Sequence, residues 1–195
     1  MAETVSRVIR TIVFLLVVGL LIWAIFILFR SIFTSGNQTT PVRAVELSSY
    51  AGPGTVAEFY IDGPIVVDQE HKALRISVEA SQSKIELMRG YEGHVVRQDV
   101  FPSTQEGYIN FLKGLDSFGF ASGNRIKLED ERGQCPLQYR YVYTLKEAGR
   151  NVVRHWSTSC GSGNFGGKRD SIQLLFQNQI PIATYNEVMR AFGTR

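Results

Sequence analysis

CPLQYRYVYTLKEAGRNVVRHWSTSC, residues 135 to 160, decides the architecture. Two strand-like runs, Gln138 to Leu145 and Asn151 to Thr158, flank Lys146-Glu147-Ala148-Gly149-Arg150, a connection of hairpin length with a glycine available for a positive φ. A symmetric turn with Cys135 opposite Cys160 is centred between Glu147 and Ala148, inside that connection. The spacing therefore predicts a cross-strand disulfide closing the open end of the hairpin, contributing about 3 kcal/mol mainly by restricting the unfolded chain. The same register puts Tyr139, Tyr141 and Tyr143 on one face with Arg154 and Trp156. Such a face more often packs a core with its hydroxyls at the rim. The alternative is a ligand platform for peptide or glycan, with Arg154 stacked on a tyrosine.

Upstream, Leu74, Ile76, Val78 and Ala80 alternate with Arg75, Ser77 and Glu79, the period of a strand with one wet face. Turn residues at Asp62-Gly63-Pro64, Ser81-Gln82-Ser83 and Glu92-Gly93 divide this half into a meander of five strands: Val56 to Ile61, Pro64 to Val67, Ala73 to Ala80, Lys84 to Gly90 and Val95 to Phe101. Ser103-Thr104-Gln105-Glu106 matches a capping box, followed by Tyr108, Phe111, Leu112 and Leu115 on one helical face and Gly119 as a stop. Thr184-Tyr185-Asn186-Glu187 repeats that pattern ahead of Val188, Met189, Phe192 and Gly193. Asp170 to Phe176 fits a short helix or a buried strand. Strands first and helices after imply an α+β domain, an antiparallel meander with two or three short helices, rather than alternating βαβ units.

Thr11 to Phe29 (TIVFLLVVGLLIWAIFILF) contains no ionisable side chain. As a helix it is about 28 Å long, close to the roughly 30 Å hydrocarbon layer of a bilayer. It is too long for a signal-peptide core, and no small-x-small cleavage site follows it. The expected organisation is a cytoplasmic tail (1–10), a transmembrane helix (11–30), a flexible tether (31–44) and an extracytoplasmic domain (45–195). Basic residues flank the span on both sides, so orientation rests on the cysteines, whose even count favours an oxidising compartment. The expected location is the plasma membrane, single-pass, with the lipid bilayer and other membrane or envelope proteins as partners. Asn37-Gln38-Thr39 in the tether is an N-glycosylation acceptor pattern.

Arg7, Arg10, Arg30 and Arg43 against Glu3 leave residues 1–44 at +3, while 17 basic and 17 acidic residues cancel in the remainder. The globular part therefore lacks the basic footprint of nucleic-acid binding. Gly161-Ser162-Gly163-Asn164-Phe165-Gly166 matches G-x-G-x-x-G, but no βαβ unit surrounds it and Walker spacing fails at Ser162 and Arg169. It reads as a turning exit from the hairpin. The histidines, 71, 94 and 155, lack metal-ligand spacing, so no metal or cofactor is expected.

The order His94, Cys160, Arg169 resembles that of sortase transpeptidases, anchored proteins in which a thiolate attacks a peptide carbonyl, a histidine moves the proton and an arginine stabilises the oxyanion. The family's Thr-Leu-x-Thr-Cys strand end is replaced here by Trp156-Ser157-Thr158-Ser159-Cys160. An apolar N-terminal helix joined to an α+β head with a C-terminal disulfide is also similar to pilins, although their processing site is absent. The expected role is that of a non-catalytic binding or scaffolding protein. A cysteine transpeptidase or peptidase is the alternative, and a pilin-like assembly subunit the second.

Overall fold

The computed structural model describes Leu16, Leu20, Trp23, residues 46–124 and residues 130–193. The tail, the membrane-helix reading of Thr11 to Phe29, the tether and Asn37 lie outside the described residues, apart from Leu16, Leu20 and Trp23, each helical and exposed. Among the described residues no helix is long and apolar enough to cross a membrane. The chain divides into Met1–Arg43 and Ala44–Arg195, and the second unit holds the α+β fold.

Its sheet has six antiparallel strands: β1 (Thr55–Asp62), β2 (Lys72–Val78), β3 (Gln82–Arg89), β4 (His94–Pro102), β5 (Arg140–Glu147) and β6 (Arg150–Thr158). Their spatial order is β4-β3-β2-β1-β5-β6. Three helices, α1 (Gln105–Ser117), α2 (Arg169–Gln177) and α3 (Ile182–Phe192), complete the unit. Alternation builds the core directly. Ala57, Phe59 and Ile61 of β1, Leu74, Ile76 and Val78 of β2, and Tyr143 and Leu145 of β5 join Phe111, Leu112 and Leu115 of α1, Ile172 and Phe176 of α2, and Val188 and Phe192 of α3 in one buried cluster. Each such aliphatic or aromatic side chain contributes about 1.5–3 kcal/mol through burial. Phe176 is the hinge of this packing, with its ring against Phe59 at 5.6 Å and edge-on to Phe111 at 5.1 Å.

Four details differ from the sequence reading. Pro64 to Val67 is not a strand: the Ile65 amide donates to the Pro136 carbonyl instead of to a ladder, Pro64 has no N–H to offer, and a 3₁₀ turn, Asp68–Glu70, follows. Helix α1 is capped by Thr104, whose hydroxyl accepts from the Gly107 amide at 3.1 Å, one residue later than the Ser103 box implies. The run from Asp170 takes the helical one of its two expected forms and is no departure. Helix α3 starts at Ile182 after Pro181 with no side-chain cap, so Thr184 lies inside it, while Gly193 ends it at φ 105° as expected.

The fourth is the hairpin register. The observed turn has two residues, Ala148 at φ 48° and Gly149 at φ 77°, between the paired Glu147 and Arg150. Two successive positive φ values are the signature of a type I′ turn, whose twist suits antiparallel strands. A bulge beside Leu145 then makes Val152 the extra residue, so Leu145 pairs with Val153, Tyr143 with His155 and Tyr141 with Ser157. The symmetric register is thus three residues out, an odd number, and an odd slip exchanges the faces of one strand relative to the other. The tyrosines share a face with His155 and Ser157, whereas Arg154 and Trp156 share the opposite face with Val142 and Thr144. The five-residue face proposed from the sequence does not exist as one surface.

Candidate functional site

The disulfide between Cys135 and Cys160 is present, with a Cα–Cα distance of 5.9 Å. It is not a rung of the ladder: Cys135 sits at φ 47° in the turn before β5, and Cys160 follows β6. Ser159 seals the junction, receiving the Tyr139 amide at 3.2 Å and donating to Gln138 Oε1 at 2.9 Å.

Both sulfurs are consumed in this bond, so Cys160 carries no free thiolate. His94 begins β4 and Cys160 follows β6, the two edges of the sheet. Five strand spacings separate those edges, about 24 Å. His94 is exposed and lies 3.2 Å from Glu92. Arg169 does approach the end of β6, with Nη1 3.5 Å from the Thr158 carbonyl. The structure does not bring His94, Cys160 and Arg169 together.

The glycine-rich exit from the hairpin shapes a cleft of about 420 Å³, lined among others by Ser157, Thr158, Ser162, Lys168, Arg169 and Ser171. The loop folds back along the outer edge of β6. The Asn164 and Phe165 amides both donate to the Trp156 carbonyl at 3.0 Å, Asn164 Oδ1 accepts from the Trp156 amide at 2.8 Å, and the Thr158 amide donates to the Ser162 carbonyl at 2.8 Å. Gly163, at φ 146°, crosses so close to Trp156 and Ser157 that a Cβ there would collide with backbone atoms. This is the physical demand behind the G-x-G-x-x-G pattern: it permits a backbone crossing, with no phosphate cradle implied. The first turn of α2, entered through Lys168 without a side-chain cap, forms the other wall.

On the helix side of the hairpin, Tyr143 stacks on Phe165 at 4.3 Å and Phe59 at 5.4 Å, and burial pushes its phenol up to about 12. Tyr139 packs against Phe192 at 5.7 Å. The cation over a tyrosine of this hairpin is Arg169, 5.7 Å above the Tyr141 ring. Arg154 instead reaches Glu131 with its Nη2 at 2.6 and 2.8 Å. Tyr143 is core, whereas Tyr141 lies beneath Arg169, which lines the cleft. The cleft presents the hydroxyls of Ser157, Thr158, Ser162 and Ser171 with Lys168 and with Arg169, which pairs with Asp170 at 3.1 Å.

A second cluster, missed in the sequence, lies at the Asp62 end of β1, two strands across from Thr158 at the cleft. Asp62 Oδ2 accepts from Arg140 Nε at 2.8 Å and Nη2 at 2.7 Å, and Asp62 Oδ1 lies 3.0 Å from His71 Nε2. Arg140 and His71 are 3% and 2% exposed. His71 Nδ1 faces the Pro64 carbonyl at 3.2 Å, and its ring stacks on Tyr91 at 4.1 Å. In the sequence Asp62 belongs to a turn and Arg140 lies inside the strand-like run Gln138 to Leu145. No local spacing links three residues brought together by pairing β1 with both β2 and β5.

Among the described residues no group of three or more His, Cys, Asp or Glu side chains is placed to hold a metal ion. No protein-family model and no curated protein matches this chain.

Proposed function

We propose that this chain is a membrane-anchored, extracytoplasmic binding or scaffolding module, held to the bilayer through Thr11 to Phe29 with its N-terminus in the cytoplasm. The observation that carries the reading is the Cys135–Cys160 disulfide, since such bonds persist in oxidising compartments and this one occupies both sulfurs that a cysteine enzyme would need. The uncharged apolar run of residues 11–29 supports the anchor. The cleft beside Tyr141 and Arg169 supports binding in place of bond cleavage: its polar groups are fixed by the loop and by α2, and Cys160 lends it no nucleophile.

The test is topological and chemical together. In cells expressing the full chain, external protease is expected to digest the C-terminal domain. A membrane-impermeant maleimide is expected to label Cys135 and Cys160 only after reduction. Protection of the domain from external protease, or labelling of Cys160 without reductant, overturns the reading. Labelling that also falls when His94 is replaced by alanine would establish the transpeptidase alternative.

A further inference from the structure

The two edges of the sheet are finished differently. The outer edge of β6 is covered at its C-terminal end by the returning loop, through the isolated bridge Ser157–Gly163 and the bonds to Trp156 and Thr158. The outer edge of β4 is bare. Among the described residues nothing hydrogen-bonds to its outward backbone groups, and Val95, Val96 and Val100 are 49%, 50% and 47% exposed. An edge strand carrying three exposed valines is a ready template for another strand.

The phase of that edge follows from its pairing. The Ser103 amide donates inward to the Ser81 carbonyl, so by alternation Phe101, Asp99 and Arg97 direct their backbone groups toward β3. Gln98 and Val100 direct theirs outward. A second antiparallel copy must therefore meet β4 in a register that pairs even positions with even. Among twofold registers near the middle of the strand, charge selects one. Centring on residue 97 places arginine opposite arginine, and centring on residue 99 places aspartate opposite aspartate. Centring on Gln98 places Arg97 opposite Asp99 of the second copy, twice, and brings Val96 beside Val100. Cross-strand pairs of opposite charge stabilise a sheet and like charges directly opposite destabilise it.

We propose that β4 is a homodimerisation edge: two copies of this chain join antiparallel about Gln98 into one continuous twelve-stranded sheet. The interface is isologous, as a closed dimer requires. Within the monomer Arg97 is held extended by Asp99 at 2.7 Å and by Glu187 of α3 at 3.0 Å, so its guanidinium is already positioned on the helix side of the edge. Two other charged groups near the strand, His94 and Glu92, pair with each other outside this contact. The bulge in the β3–β4 pairing falls at Val96, so the ladder between the two copies is confined to residues 96–100 about Gln98.

The test uses the detergent-solubilised full chain. Gln98→Cys is expected to form an intermolecular disulfide on mild oxidation, because hydrogen-bonded antiparallel partners stand about 5.5 Å apart at Cα, within disulfide range. Val100→Cys is expected not to cross-link to itself, since position 100 lies four residues from its own copy across the axis. Arg97→Asp, which turns both attractive pairs repulsive, is expected to raise the dimer dissociation constant by roughly tenfold or more in sedimentation equilibrium. Gln98→Pro removes an outward N–H without touching a bond to β3 and provides the same readout if Arg97→Asp does not fold. Failure of Gln98→Cys to cross-link, cross-linking of Val100→Cys instead, or a dimer insensitive to both Arg97→Asp and Gln98→Pro overturns the proposal. An association driven by residues 11–29 would give that last result, so the outcome is independent of whether they span a membrane.

Discussion

Arg140 is a guanidinium 3% exposed inside a sheet, and Asp62 is the carboxylate that justifies it. Its Nε and Nη2 both bond Asp62 Oδ2, Nη2 also donates to the Gly63 carbonyl, and Nη1 has no partner among the described residues. Replacing Asp62 by asparagine keeps the shape and removes the charge, leaving a buried cation with neutral acceptors alone. Breaking one side of a buried pair costs about 3–5 kcal/mol. Asp62 is 21% exposed, so water recovers part of that, and the expected loss is about 3 kcal/mol. For a domain with about 5–15 kcal/mol in hand this is a large fraction. Asp62→Leu with Arg140→Met removes both charges and with them the desolvation of the ion pair, so the remaining cost is that of the His71 Nε2 left without its partner, about 1–3 kcal/mol. Urea denaturation of the oxidised full chain followed by circular dichroism gives both values, at an unchanged slope against urea. The coupling from the full double-mutant cycle is expected to exceed about 2 kcal/mol. A loss under about 1 kcal/mol for Asp62→Asn, or a coupling near zero, refutes the claim that Asp62 compensates Arg140.

Three further outcomes are measurable by the same unfolding assay. Thr104→Ala is expected to cost about 1 kcal/mol through the lost N-cap, while Ser103→Ala costs close to nothing; the reverse order would restore the capping box read from the sequence. Reduction of the Cys135–Cys160 bond is expected to lower stability by about 3 kcal/mol, read as a shift in urea midpoint with and without reductant. Burial holds the His155 imidazole below its ordinary value, so on acidification the unfolded chain takes up its proton first. Stability is therefore lost as pH falls below about 6.5. His155→Gln, which keeps a donor for the Ala121 carbonyl at the position of Nε2, is expected to reduce the drop in urea midpoint between pH 7.5 and 5.5; an unchanged drop assigns the effect to other groups.

Much of the fold was legible because it rests on periodicity. The alternation of β2, the i, i+3, i+4, i+7 pattern of α1 and the glycine after Phe192 each report a local demand, and each element formed there. Thr104 and Pro181 show where local signals stop. Ser103 and Thr104 are both competent caps, and choosing between them depends on where the chain leaves β4 with Ser103 bonded to the Ser81 carbonyl. Pro64 to Val67 is apolar enough for a strand, but a strand also needs a neighbour with free backbone groups. The amides of Ile65 and Val66 find instead the Pro136 carbonyl and the Tyr91 hydroxyl, the latter receiving the Val66 amide at 3.0 Å. The Asp62, His71 and Arg140 cluster was invisible for the same reason: it is a product of pairing, and pairing is not written in any one segment.

The hairpin shows how a correct bond can carry a wrong register. The two cysteines do join, yet they join outside the ladder, after Cys135 has turned at φ 47°, so their spacing carried no information about which residues face each other. A bulge that inserts Val152 and a two-residue turn set the register instead, and both are consistent with the sequence only after the fact, since Ala148 occupies a conformation that glycine or asparagine would have advertised. The Ala148 amide bonds the Gly54 carbonyl at 3.0 Å, a contact from the turn before β1 that holds this costly conformation in place. Parity then decides chemistry. With the faces exchanged, Trp156 is buried beside Val142 on the side of the sheet away from the helices, and Arg154 is committed to Glu131. The polar ligand that the proposed function requires must be sought at Tyr141 and Arg169, where α2 meets the strand end. Substitutions at Arg154 and Trp156 would report stability in place of recognition.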